Sequence, residues 1–469
     1  MLLLGMRCVL KFMWAGVLAV GVLEAAPWPA RPAAVEQLVI EAFAGNLALR
    51  GETLGVEQAL EQLRQAEGRW QPRLDLIARF SRAEGGRTID IPIGDLLNPV
   101  YSTLNDMLAA QGRPAGFPSV SNQSIPLLRE REQETKLRLL QPVFRPEITH
   151  GTRARRAGWE SRTSQLAAFK RELRFLVESA WYRHQQADSA VRILESARAL
   201  TGEALRTNRL LFEADKITED RVLRAEAEDL AVEQQIAEAR RDRNSARAHL
   251  NFLLNRPLSR AVPVIDPEGL RDAIAHTPTL LGGDAVDAGG REEIRALEQA
   301  VAALGEAEAV EKSRRLPTLS LAIEGGIQGE DYRTGAGNDF VVGSLVAEAN
   351  LWDGRERRSA VRIARLERRR LELKLQETRD QLAVEVERAR DDLGAALSSL
   401  AAAERRRDAS ARAFELVRAR EQEGLATQLT FLDARNALTL AELNQAITQS
   451  RVLIAAAALD RTAALSPLP

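Results

Sequence analysis

The residues able to carry acid–base, metal or nucleophilic chemistry are few and scattered. The chain has four histidines, at 150, 184, 249 and 276, and they share no metal-ligand spacing. No HExxH helix motif and no Gly-rich phosphate loop occurs. The single cysteine, Cys8, lies in an N-terminal apolar stretch, so the rest of the chain offers no thiol for disulfides, zinc or catalysis. Arg368-Arg369-Arg370 and Arg405-Arg406-Arg407 could bind an anion, but Glu367, Glu372 and Glu404 stand beside them, which reads as a solvated, ion-paired helix face. Lys+Arg number 65 against 66 Asp+Glu, for a formal net charge of −1. That balance lacks the basic excess of a nucleic-acid binder. Neither an enzyme nor a cofactor site is expected.

The elements that would position any functional residue are long. None of the 18 prolines falls between Glu147 and Arg256, or between Thr318 and Ser466. Since Pro inside a helix costs ~3 kcal/mol, proline-free stretches rich in Ala, Leu, Glu, Arg and Gln predict very long helices. The first, about 155–212, places Leu166, Phe169, Leu173, Leu176, Ala180, His184 (a polar exception), Ala187, Val191 and Leu194 at spacings of three and four. The second, about 356–422, does so with Leu371, Leu375, Leu382, Val386, Ala389, Leu393, Leu397 and Leu400. At ~1.5 Å per residue they span roughly 85 and 100 Å.

Each half of the chain repeats one series of elements. A first helix (about 34–68, and about 291–315) leads to a strand with period-two alternation after Pro72 and after Pro317. A second strand ends in Gln141-Pro142-Val143-Phe144 and in Asn350-Leu351-Trp352. The long helix follows, stops at Glu213–Thr218 or Glu423–Thr427, and a return helix begins with Thr218 or Thr427 as N-cap. Leu223 and Ala225 match Leu432 and Ala434 at a constant offset of 209. The predicted boundaries are a signal peptide at 1–26; a first repeat at 27–256 with strands at about 70–82 and 134–144, a long outer loop at 84–133 and a helical hairpin at 155–256; a Pro- and Gly-rich linker at 257–290; and a second repeat at 291–466 with strands at about 317–328 and 340–352 and a hairpin at 355–465. Residues 1–26 carry Arg7 and Lys11 before a short apolar run and small residues at Ala25 and Ala26, the layout of an export signal. Within the outer loop, Leu97, Tyr101, Leu104 and Leu108 predict a short amphipathic helix.

Four alternating strands in an exported chain suit a membrane crossed at a tilt, yet four cannot close a barrel and open edges are not tolerated in lipid. Either these are ordinary soluble hairpins, or several chains pool strands into one barrel. Trp70, Phe144 and Trp352 all fall at the helix-proximal strand ends, where an interfacial aromatic girdle would lie; they would otherwise be core aromatics capping helix ends.

The order helix, strand, strand, long helix, return helix, used twice after a signal peptide, resembles the TolC-like outer-membrane efflux proteins over nearly the whole mature chain. Ala349-Asn350-Leu351-Trp352-Asp353-Gly354 is similar to that family's strand-to-helix junction, and Gln141-Pro142-Val143-Phe144 stands in the equivalent place. Gly424-x-x-Thr427-x-x-Thr430-x-Leu432-Asp433-Ala434 is similar to its helical tip. The resemblance implies a mainly α fold with a small membrane β part, and a homotrimer whose twelve-stranded β-barrel is continued by a periplasmic α-helical barrel. It also implies an outer-membrane location in a Gram-negative bacterium, contact with outer-membrane lipid, and a passive exit duct for efflux or type I secretion. A periplasmic adaptor (membrane fusion) protein and an inner-membrane pump would be its partners. The tip residues Ile217, Thr218, Gly424, Leu425 and Thr427 would meet the adaptor. Of the two acidic positions that narrow the entrance in some members, Asp433 matches one, or is an exposed helix charge, and Thr430 stands where the other would be. In the first repeat Thr218-Glu219-Asp220-Arg221 places the acid one position early. The rival reading is a periplasmic coiled-coil adaptor or scaffold without a barrel.

Overall fold

The computed structural model describes residues 31–282 and 290–468. The expected signal peptide, 1–26, lies outside the described residues. The elements are α1 (Ala33–Gly45), α2 (Leu47–Gly68), β1 (Arg73–Arg82), β2 (Thr88–Ile91), α3 (Ile93–Ala110), β3 (Gln123–Pro126), β4 (Arg131–Phe144), α4 (Pro146–Glu213), α5 (Glu219–Leu253), α6 (Pro267–Ala275), α7 (Glu292–Ser313), β5 (Thr318–Gly329), β6 (Asp339–Glu348), α8 (Glu356–Gln422) and α9 (Gln428–Ala463). The predicted first helix is two helices. Asn46 divides it: its Oδ1 accepts from the Leu49 N–H at 3.0 Å and its Nδ2 donates to the Leu253 carbonyl at 2.8 Å. The first long helix starts earlier than predicted, because Pro146 occupies its first position, where a missing N–H costs nothing. The predicted linker holds α6, capped by the Asp266 side chain, and a 3-10 turn at 277–282.

The chain forms two compact units. Of the described residues, the first comprises 31–56, 162–282, 290–297 and 373–468. Its core joins Val35, Leu38 and Val39 of α1 to Leu173, Val177 and Trp181 of α4, Leu250 and Leu254 around the end of α5, Val386 and Leu393 of α8, and Val452, Leu453 and Leu459 of α9. Burying such side chains stabilises by ~1.5–3 kcal/mol each. Trp181 and Tyr182 pack edge to face at 5.2 Å, and the Trp181 indole N–H donates to the Pro263 carbonyl at 3.0 Å. His184 is buried in α4, and that burial lowers its pKa and favours the neutral ring.

This core also encloses charge. The Glu178 carboxylate lies 3.0 Å from Arg31 and 3.1 Å from Arg174, and Arg31 also pairs with Asp460. Burial pushes the Glu178 carboxyl up to about 7 against the pull of both guanidinium groups. Arg171 holds Glu292 at 2.7 Å and donates to the Ser466 carbonyl at 2.9 Å, so basic side chains of α4 fasten both the start of α7 and the C-terminal segment.

The second unit comprises Glu57–Ser161 and Glu298–Glu372. Its main sheet has the order β1-β4-β5-β6, antiparallel throughout. Two local features shape it. Pro142 sits where the β4–β5 register shifts, consistent with a residue that cannot donate to a ladder. Gly326 pairs with Lys136, and a Cβ there would lie 2.2 Å from the Thr135 carbonyl oxygen, so only glycine permits this approach. β2 and β3 form a separate two-stranded ribbon that stems the loop carrying α3.

Candidate functional site

The two helix breaks are built alike. After α4, the Asp215 N–H donates to the Phe212 carbonyl and the Lys216 N–H to that of Leu211, both at 2.9 Å. After α8, the Gly424 N–H donates to Glu421 at 2.9 Å and the Leu425 N–H to Arg420 at 2.7 Å. These are left-handed C-caps that satisfy the last orphan carbonyls. The return helices then start at equivalent residues, with different caps. Thr427 accepts from the Thr430 N–H at 3.2 Å, whereas Thr218 occupies the N-cap without a side-chain bond.

The predicted aperture residues fall at the start of α9. Thr430 is exposed and its hydroxyl meets that of Thr427 at 2.9 Å, so the position opposite the cap carries a neutral hydroxyl pair. Asp433 is exposed one turn further on. The first repeat places Arg221 and Arg224 at the equivalent positions of α5, the offset of 209 carrying 430 to 221 and 433 to 224. Gln428 donates to the Arg221 carbonyl at 3.3 Å, which brings the two tips together. Among the adaptor-facing candidates, Thr218, Gly424, Leu425 and Thr427 are exposed and Ile217 is half-buried.

Sequence reading missed Arg435. This side chain is almost fully buried, donates to the Ala197 carbonyl of α4 at 3.1 Å and pairs with Glu228 of α5 at 3.0 Å. It therefore braces three helices near the tips. The available signal was its spacing, since Leu432, Arg435 and Thr439 share one buried face of α9.

The strand-to-helix junctions belong to the second unit. Trp70 is half-buried in the turn after α2, and its carbonyl accepts from Gln141 at 2.9 Å. Phe144 ends β4 and is exposed; Trp352 is 85 % exposed between β6 and α8. The Asn350-Leu351-Trp352-Asp353-Gly354 run works as a helix start. Asp353 accepts from both the backbone N–H and the guanidinium of Arg357, and Arg357 donates to the Asn350 carbonyl at 2.7 Å. Arg357 is the residue that makes this junction a fixed unit.

The sheet has two unlike faces. Leu74, Leu76 and Phe80 of β1 share one face with Leu137 and Leu139 of β4, Leu321 and Ile323 of β5, and Val341 and Leu345 of β6; most of these are exposed. The other face carries a ladder of charge. Lys136 lies 2.8 Å from Glu134 and 2.9 Å from Glu324, Arg138 lies 3.0 Å from Glu324, and Arg79 lies 3.3 Å from Glu134. β1 and β6 are the edges.

Among the described residues no three His, Cys, Asp or Glu side chains cluster so as to hold a metal ion, and no helix is long and apolar enough to cross a membrane. His150 meets Glu306 at 2.7 Å in an ordinary part-buried pair.

Residues 288–464 match the family model described as outer membrane efflux protein. The chain superposes on the Campylobacter jejuni CmeC outer membrane channel with a TM-score of 0.72 at 16% identity, covering 92% of this chain and 86% of that one. The chain has the TolC-like outer-membrane channel fold. The open state of the Neisseria gonorrhoeae MtrE outer membrane channel matches this chain with a TM-score of 0.72 at 17% identity, covering 92% and 89%. CusC matches it with 0.74 at 15% identity, covering 94% and 95%. No curated protein matches the sequence. CmeC and MtrE are outer membrane channels.

Proposed function

We propose that this chain is the outer-membrane exit duct of a tripartite efflux or type I secretion system. The observation that carries the reading is the four-stranded sheet, apolar and exposed on one face, charged on the other and unpaired at β1 and β6. A lipid-facing exterior and a wet, polar interior are what a transmembrane barrel requires. Unpaired backbone groups at an edge cost several kcal/mol each in hydrocarbon, so β1 of one copy must pair with β6 of the next. Three copies bring twelve strands and close the barrel.

In this assembly Trp70, Phe144 and Trp352 stand at the periplasmic membrane interface, where amphipathic rings are favoured. The helices form the periplasmic conduit, and the two repeats, 27–256 and 291–466, supply one hairpin each. Ile217, Thr218, Gly424, Leu425 and Thr427 meet a periplasmic adaptor joined to an inner-membrane pump, and Asp433 and Thr430 line the aperture. No reaction is catalysed; the adaptor opens the tips.

Membrane fractionation tests the reading against a soluble adaptor or scaffold. The duct partitions with the outer membrane and conducts ions in planar bilayers. Recovery in the soluble periplasm would refute it. Deleting the gene is expected to sensitise cells to toxic compounds, and replacing the tip residues should reproduce that sensitivity without loss of the assembled protein.

A further inference from the structure

The loop between β1 and β4 is not a plain connector. It carries the 18-residue α3, and three asparagines clamp the returning chain along one side of it. Asn98 exchanges two bonds with Val120, at 2.9 and 2.8 Å. Asn105 accepts from the Gly116 and Phe117 N–H groups at 3.1 Å and donates to the Phe117 carbonyl at 2.7 Å. Asn122 accepts from the Asp95 N–H and donates to its carboxylate. Tyr101 packs on Phe117 at 5.3 Å. The helix is thus held at a fixed rotation.

That rotation leaves an apolar seam unpartnered. Leu97, Val100, Leu104 and Met107 are 36, 53, 36 and 61 % exposed. Their spacing of three, four and three is that of alternate a and d positions in a coiled coil, and the flanking Leu96 is exposed as well. Water does not favour such a stripe on a well-ordered helix. The charges of α3, Asp95 and Asp106, stand off the seam, and the helix carries no Lys or Arg. An amphipathic helix lying on phosphate-bearing headgroups uses a basic polar face, so the composition disfavours lipid as the occupant. The loop springs from β1, an edge of the sheet that the duct reading above pairs with a second copy, at the sheet end opposite to where α2 and α4 join.

We propose that the three copies of α3 pack through Leu97, Val100, Leu104 and Met107 into a three-helix cap over the outer mouth of the barrel. The cap rests on the trimeric reading above. It would act as a lid at the exit, separate from the periplasmic tips.

Cysteine cross-linking of the full-length protein tests it. The natural Cys8 precedes the expected cleavage site, so an introduced thiol is read against no background. Val100→Cys and Met107→Cys are expected to shift the monomer band to a disulfide-linked dimer on mild oxidation, while Ser102→Cys, on the opposite side of the helix, stays monomeric. Light scattering of the same samples keeps two failures apart. A trimer in which Val100→Cys and Met107→Cys cross-link no better than Ser102→Cys overturns the cap and leaves the duct intact. A monomer overturns both. A fluorophore on Met107→Cys that is quenched by spin-labelled outer-leaflet lipid also overturns the cap, by assigning the seam to the membrane. Leu104→Asp should raise single-channel conductance in planar bilayers; unchanged conductance refutes the role as a lid.

Discussion

Asp215 and Gly424 occupy the same place in the two helical hairpins and share a left-handed backbone, with φ of 55° and 74°. Each follows a very long helix and turns the chain into its return helix. The first repeat thus asks an L-residue to adopt a conformation that costs most side chains roughly 1–2 kcal/mol, a cost that Asp bears better than most. No atom lies within 4 Å of a Cβ built on Gly424, so the backbone alone decides a substitution there. Gly424→Ala should destabilise by about 1 kcal/mol and Asp215→Gly should be neutral or mildly stabilising. Thermal melting of the purified protein compares the two.

The caps of the return helices should respond differently. Thr427→Ala removes a side-chain bond to the Thr430 N–H and should cost about 1 kcal/mol, seen as faster amide exchange in the first turn of α9. Thr218→Ala removes no such bond and should leave the first turn of α5 unchanged. Equal effects at the two sites would contradict the capping geometry.

Arg435 should matter more than any charge exposed at the tips. Arg435 is buried but Glu228 is half-exposed to solvent, so truncating the arginine loses its hydrogen bonds and part of the pairing, at about 1–3 kcal/mol. Arg435→Met should therefore loosen the region where α4, α5 and α9 meet, with increased amide exchange around Ala197 and Glu228. Arg435→Lys should rescue little, since an ammonium cannot reach both acceptors in the guanidinium's fixed fork.

Glu178 should give the helical core a pH dependence. Its carboxyl titrates at about 7 in the folded chain against an ordinary 4.5, chiefly through burial, with Asp460 adding to the rise and Arg31 and Arg174 opposing it. The folded state therefore holds the proton more tightly than the unfolded state. Stability from this group is full below about pH 4.5 and is lost as pH rises through about 7. Glu178→Gln should flatten the melting temperature across that window, while a Glu178→Gln profile that tracks the natural protein would exclude the assignment.

The two faces of β1 should tolerate charge unequally. Leu76→Arg puts a guanidinium on the lipid side and should cost about 2–4 kcal/mol near the bilayer midplane. Ile77→Arg points to the charged side, beside Lys136 and near Glu134, and should be accommodated. The folded fraction in lipid vesicles under urea distinguishes them.

The long helices were legible because proline's absence is a local property of the chain, and α8 begins and ends where the pattern predicts. Asn46 was not legible as a break, since its partner Leu253 lies far along the sequence. The Pro146 start was obscured by Gly151 and Gly158, which α4 absorbs. The junction motif around Trp352 was readable as a pattern, but its working residue, Arg357, lies beyond the motif.

The sequence alone determined the periodicities: two proline-free helical stretches, four alternating strands, and tips repeated at an offset of 209. Each depends on neighbours within a few residues and survives without knowing the fold. Tertiary structure decided what local pattern cannot encode. It chose the strand order β1-β4-β5-β6, buried Glu178 among arginines, turned Arg435 inward and clamped α3 with its Leu97–Met107 seam outward. Those outcomes rest on partners brought together from distant parts of the chain, and only packing selects among them.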